Sequence, residues 1–222
     1  MILSKKVFFI AASFFLFISN HAQDCGSVLW NLNIIDSLGH FSTLPLHKLP
    51  TTNDDYANFN GIDEGILLNT NPLEGADEFT IEVIFKPDSS TNPANKEQRF
   101  LHIRNGEDDN RRILLEIRLY PNQTWAFDTF IKSENSKCTL IDTSKTHSAG
   151  EWYHVALVYE KGVMSHFVNG IKEAYGKVEY KKIECGKISI GARQDPRNWF
   201  MGAIKQIRFT KCALSPGGFL VQ

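Results

Sequence analysis

The stretch GEWYHVALVYEKGVMSHFVNG, residues 150–170, reads as two β-strands joined by a tight turn. Trp152 to Tyr159 is aromatic, β-branched or aliphatic except at His154, a composition that suits a pleated, half-buried surface. Glu160-Lys161-Gly162 interrupts it with turn chemistry, and Met164 to Val168 resumes the extended pattern. Asn169-Gly170 is the strongest short hairpin signal, because a type I′ turn needs positive φ at both central residues. Ile171 to Tyr175 is the return strand. Three consecutive strands make an antiparallel meander, and its apolar face needs a second sheet to cover it.

The same grammar extends in both directions. Phe79, Ile81, Val83 and Phe85 share one face of a strand by the two-residue period, with Thr80, Glu82, Ile84 and Lys86 on the other, and Pro87 ends it. Ile113, Leu115, Ile117 and Leu119 repeat that alternation, Pro121-Asn122 turns the chain, and Trp125 and Phe127 share a face of the next strand. Trp125 and Trp152 are expected in the core. Val28 to Ile34 and Ala203 to Thr210 read as terminal strands that can pair. The apolar positions Ile204, Ile207 and Phe209 do not alternate strictly, and a bulge between Ile204 and Ile207 restores the register. His40 to Asp55, rich in Pro, Thr, Asn and Asp, reads as a long surface loop. Roughly a dozen strands with no amphipathic helix give an all-β, antiparallel two-sheet sandwich.

Lys5 and Lys6 followed by the apolar run Val7 to Ile18 read as a signal peptide over residues 1–22, cut after Ala22, with one domain over residues 23–222. Asp24 before Cys25 does not match a lipid-attachment box. The expectation is a secreted, extracellular protein, or a periplasmic one if bacterial, with no transmembrane anchor after signal removal. Lys and Arg number 24 against 25 Asp and Glu, for a net charge of −1 with the signs interspersed, so no nucleic-acid footprint stands out. The 4 cysteines all lie in the mature part, and an even count in an exported chain points to two disulfides with three possible pairings. The apposition of the terminal strands favours Cys25–Cys212, and Cys138–Cys185 follows by elimination.

Three segments together resemble the laminin-G-like, concanavalin A-like jelly-roll domains. The first holds Phe59, Gly61, then Phe79-Thr80-Ile81-Glu82 and Lys86-Pro87. The second is the opening stretch, with Trp152, His154, Val155, Asn169 and Gly170. The third holds Ile190-Gly191, Phe200 and Gly202, Ile204, Ile207 and Ala213-Leu214-Ser215. Lys205 stands where the family often has Asp, and Ile84 where it often has Trp. The resemblance implies a jelly roll over about residues 58–215 and is neutral on activity, since this fold hosts lectins, adhesion modules, hydrolases and lyases.

Jelly-roll glucanases set paired carboxylates two to four residues apart on one strand, and no such spacing occurs here. Glu116 and Asp128 each stand alone on their strands, and His154 reads as a sheet residue hydrogen-bonded within its layer. The resemblance also brings calcium, held by loop oxygens, with Asp63, Asp108, Asp109 and Asp195 as candidate ligands. Sugar recognition needs an aromatic platform with planar polar groups beside it. Trp199 fits, next to Arg193, Asp195, Arg197 and Asn198, and it points away from the core if Phe200 points in. The expectation is therefore a secreted, lectin-like module that binds a glycan, or an extracellular protein, without catalysis. A glycan hydrolase or lyase predicts paired carboxylates or an Arg/His/Tyr cluster on one sheet. An adhesion module predicts an exposed apolar patch.

Overall fold

The computed structural model describes residues 25–89, 95–106 and 108–221. The signal-peptide reading falls outside them. In chain order the strands are β1 (Ser27–Asn31), β2 (Ser37–Leu38), β3 (Phe41–Ser42), β4 (Leu44–Pro45), β5 (Thr51–Thr52), β6 (Ala57–Asn60), β7 (Ile66–Leu68), β8 (Phe79–Pro87), β9 (Glu97–Asn105), β10 (Asp108–Tyr120), β11 (Thr124–Ser133), β12 (Ser136–Ile141), β13 (His147–Ser148), β14 (Tyr153–Glu160), β15 (Val163–Val168), β16 (Ile171–Lys177), β17 (Gly186–Ile190) and β18 (Met201–Thr210). All but β2 and β3, which pair with each other in a separate two-stranded sheet, form two antiparallel sheets. The first runs β16-β15-β14-β8-β18-β6-β5, with β1 also on β18, and the second runs β12-β11-β10-β9-β17-β7-β4, with β13 on β11. The stretch expected as a loop over residues 40–55 instead carries β3, β4 and β5, two-residue strands too short to show a period.

The meander forms as its turns dictate. Lys161-Gly162 and Asn169-Gly170 all have positive φ, so β14–β15 and β15–β16 close through two-residue turns whose twist matches the strands. The register of β14 on β8 sets Val155 opposite Val83 and Leu157 opposite Ile81. Phe79, Ile81, Val83 and Phe85 are fully buried between the sheets. Phe85 stacks on Phe100 of the second sheet, centroids 4.8 Å apart, and meets Trp125 edge-on at 5.3 Å. Truncating such a residue to Ala costs about 3–5 kcal/mol through lost burial and the cavity left behind. In β18 the register against β8 slips between Ile204 and Gln206, the bulge that the apolar spacing calls for.

The first and last strands of the described chain meet on the first sheet. Ser27 pairs with Thr210 and Trp30 with Ile207, and the Cys25–Cys212 disulfide closes next to them. Beyond β18 the chain runs back as a strap over the outward face of β8 and β14. The Leu214 amide donates to Thr80 Oγ1 (2.9 Å), and the Leu220 amide to Glu82 Oε1 (2.7 Å). Glu82 is thereby fully buried, a position that a charge tolerates only when it is satisfied. His154 Nε2 lies 2.9 Å from its Oε1, and Arg208 Nε donates to its Oε2 at 2.5 Å. Burial alone would raise this carboxyl, but the bonds from His154, Arg208 and Leu220 hold it below its ordinary value. His154 is thus a sheet residue with a carboxylate beside it.

Two expectations are corrected here. Cys138 and Cys185 are free thiols. Cys138 sits on β12 opposite Ile131, whereas Cys185 precedes β17, four strand positions away across the second sheet. That is about 19 Å at the usual strand spacing, against a Cα limit of about 7 Å for a disulfide. Trp125 is fully buried as expected, but Trp152 is only half-buried. Its ring packs on Tyr56 at 5.4 Å with the Lys86 ammonium 5.8 Å from its centroid. Among the described residues, no helix is long and apolar enough to cross a membrane.

Candidate carbohydrate-binding face

The outward face of the second sheet is polar, and the β10–β11 hairpin organises it. Its three-residue turn, Pro121 to Gln123, ends with Gln123 at φ 61° and sets Tyr120 opposite Thr124. Counting back along both strands, Glu116 falls directly opposite Asp128. Alternation sends both outward, because Leu115, Ile117 and Phe127 face the core. The two carboxylates that stand alone in the sequence are therefore cross-strand neighbours, with Cβ atoms about 5 Å apart.

Arginines enclose the pair. Arg118 Nε donates to Asp128 Oδ2 at 2.6 Å, its Nη2 lies 3.9 Å from Glu116 Oε2, and it also pairs with Glu97. From β9, Arg99 approaches Glu116 Oε1 at 3.1 Å and Glu97 at 3.3 Å. Glu116 and Asp128 are only 3% and 1% exposed, yet among the described residues Glu116 Oε2 and Asp128 Oδ1 have no hydrogen-bond partner. Desolvation pushes the Glu116 carboxyl up to about 7; Arg99 opposes the rise and Asp128 adds to it. Burial also raises Asp128, against the pull of Arg118.

His102 lies on the same face, opposite Leu114 and Ser189. Its Nδ1 accepts from the Gln194 amide at 3.2 Å, while the buried Nε2 has no partner among the described residues. Burial, then the charges of Arg193 and Arg104, push it down to about 3, so the ring is neutral with its proton on Nε2. The face thus holds unpartnered acceptors, Glu116 Oε2 and Asp128 Oδ1, and an unpartnered donor, His102 Nε2.

The loop after β17 forms one edge of this face. Arg193 is buried and reaches Asp195 at 2.6 Å and Asp109 at 3.3 Å. Arg197 closes on Asp195 at 2.9 Å. Burial works against the Asp195 charge, but the bond from Arg193 prevails and holds its carboxyl below the usual range. Asn198, at φ 56°, accepts from the Arg99 amide at 2.9 Å, which ties the loop to the strand that supplies Arg99. Trp199 is half-buried over Gly65, where an added Cβ would come within 3.2 Å of the indole, and Phe200 points into the core. Of the five loop residues singled out from sequence, Asn198 is joined through Arg99 to Glu116, whereas Arg193, Asp195 and Arg197 pair among themselves and with Asp109, and Trp199 lies over Gly65. The Glu116–Asp128 pair is the part that sequence reading misses. The signal was available: the two carboxylates are equidistant from Asn122 in the turn.

The acidic residues considered for calcium do not converge. Asp63 accepts from Asn60 Nδ2 at 2.8 Å in the turn after β6, and Asp108 accepts from the Asn110 amide at 2.8 Å. Asp109 and Asp195 do approach one another, with the Arg193 guanidinium between them. Among the described residues, no three His, Cys, Asp or Glu side chains are grouped to hold a metal ion.

Comparison with known proteins fits this architecture. Domain 4 of the extracellular arabinanase AbnA from Geobacillus stearothermophilus, solved in complex with arabinotriose, superposes with a TM-score of 0.54 at 19% identity over 86% of this chain and 94% of that one. The CBM40 of the Ruminococcus gnavus IT-sialidase, bound to α2,6 sialyllactose, gives 0.55 at 21% identity over 73% and 93%. A heptameric SAP-like pentraxin from Limulus polyphemus gives 0.52 at 14% identity over 78% and 80%. At these identities the likeness is one of fold. No curated protein matches the chain in sequence. The laminin G sequence profile matches residues 59–217, so the chain belongs to the concanavalin A-like lectin/glucanases superfamily.

Proposed function

We propose that this chain is an exported carbohydrate-binding module that takes its sugar on the outward face of the second sheet, beside Trp199. The observation that carries the reading is the pair of buried carboxylate oxygens, on Glu116 and Asp128, with no hydrogen-bond partner. A buried acceptor without a partner is destabilising by about 1–3 kcal/mol, a cost that a sugar hydroxyl relieves once the side chains covering the acceptor move aside. Arg99 and Arg118 offer donors to ring and hydroxyl oxygens, and Trp199 offers the flat apolar surface that a pyranose face covers. The likeness to modules solved with arabinotriose and sialyllactose supports the same reading.

The test is a glycan array, run with and without added calcium, on the wild type, Trp199→Ala and Asp128→Asn. Binding is expected in the wild type and weakened by both substitutions. Unchanged binding by Trp199→Ala removes the loop from the site, and an array with no positive glycan overturns the reading. The opposed carboxylates also favour a second reading. Retaining glycosidases use two carboxyl groups about 5 Å apart, an arrangement that cross-strand neighbours can adopt, so reducing-end release on a polysaccharide panel that is lost in Glu116→Gln would identify an enzyme.

A further inference from the structure

We propose a second ligand site on the opposite sheet, a cavity beneath the C-terminal strap that takes a small amphiphilic carboxylate. The strap is anchored at Leu214 and Leu220, as described above. Between the anchors it makes the 3-10 turn Pro216–Gly218, closed by the Gly218 amide to Ser215 O at 2.9 Å, with Arg208 Nη2 donating to Gly218 O at 2.6 Å and Phe219 packed on Phe167 at 5.2 Å. Beside Leu214, Ser215 and Pro216 lies a cavity of about 650 Å³ over the outward face of β14 and β15. That volume lies within the range of small-molecule pockets.

The lining dictates the ligand. Val158, Val163 and Phe167 form the floor, and Leu214 and Pro216 form the strap wall. Alternation places Val158 opposite Ser165 and Phe167 opposite Lys172. An apolar body is therefore desolvated against the floor, with the Ser165 hydroxyl as the polar group there. At the rim, the Lys172 ammonium stands 5.5 Å from the Phe167 centroid. Among the described residues no carboxylate pairs with Lys172, whereas its neighbour Lys161 is paired with Glu160 at 3.3 Å. Among the described residues, the uncompensated charge at the mouth is the Lys172 ammonium, so the polar end of the ligand is an anion. An alkyl or aryl carboxylate matches both halves. This site is on the other sheet from Glu116 and Trp199, so it stands or falls independently of sugar binding.

The experiment titrates the ¹⁵N-labelled protein with sodium hexanoate, octanoate and decanoate below their micelle concentrations, and with 1-octanol as the uncharged control. Saturable shifts are expected at Val163, Phe167 and Leu214, with affinity rising about fourfold per methylene. Lys172→Met, at an exposed position, is expected to weaken octanoate about tenfold and to leave 1-octanol unchanged. Absence of saturable shifts, shifts centred on another face, or equal weakening of octanoate and octanol by Lys172→Met would each overturn the proposal.

Discussion

Replacing Glu116 with Gln probes the polar face without disturbing the core. The folded protein holds this carboxyl near 7 instead of 4.5, chiefly because burial strips its water. Disfavouring the charge to that degree costs about 3 kcal/mol once the group is ionised. The unfolded chain releases the proton near 4.5 and the folded chain near 7. Stability is therefore full below pH 4.5, falls as pH rises through that window, and has lost the whole increment by about pH 8. Gln keeps the shape of the protonated acid and cannot ionise. The variant should differ from the wild type by a fixed offset at pH 4.5 and gain on it by about 3 kcal/mol at pH 8, equivalent to about 6–12 °C in Tm for a chain of this size. Urea unfolding followed by tryptophan fluorescence at pH 4.5, 6 and 8 measures the gap, and the histidines cancel because they titrate in both proteins. A gap that does not widen with pH would mean that Arg99 and Arg118 hold Glu116 as a fully ionised partner, and the argument for a strained, ligand-seeking carboxylate would fail.

Other outcomes are equally specific. Burial holds His166 near 4 and His102 near 3, so their contribution is present above pH 6.5 and lost as pH falls through those values, by about 3–5 kcal/mol apiece; an acid limb of the stability curve that is no shallower in His166→Asn would refute this. Cys25→Ser with Cys212→Ser opens a link across a sequence separation of 187, and the chain-entropy model sets the loss at up to about 5 kcal/mol, read from the urea midpoint. At Gly202, φ is +143° and an added Cβ would stand 2.3 Å from Lys86 O and 3.0 Å from the Asp88 amide, neither of which is a yielding side chain. Gly202→Ala should therefore lose at least about 2 kcal/mol in thermal unfolding. In thiol titration the exposed Cys185 should react quickly in the folded protein, while the half-buried Cys138, whose thiol is pushed up by burial, should react more slowly than it does after unfolding.

The architecture was legible wherever burial has a period. Phe79 to Phe85, Asn169-Gly170 and the interrupted alternation of Ile204, Ile207 and Phe209 each point to their observed role, because side-chain direction and turn sign are local properties. The terminal disulfide was legible for the same reason, since the strands beside it pair. Cys138–Cys185 was not, because elimination assumes that every exported cysteine is bridged, and strand order across a sheet is not a local property. Trp152 was misplaced because the strand that begins at Tyr153 leaves its ring at the sheet's end, over Tyr56. The pairing of Glu116 with Asp128 needed the hairpin register, and their burial needed arginines from β9 and β10. Neither follows from residue spacing along one strand.

The position of β18 has a consequence for synthesis. This strand lies between β8 on one side and β6 and β1 on the other, so it completes the first sheet from the far end of the chain. Until it has left the ribosome, Trp30 has no strand to lie against and β8 presents a bare edge. Nascent protein is then open to aggregation, and a holdase or rapid export in an extended form would protect it. Closure through such distant residues is intrinsically slow, so the period in which the edge stands bare is long.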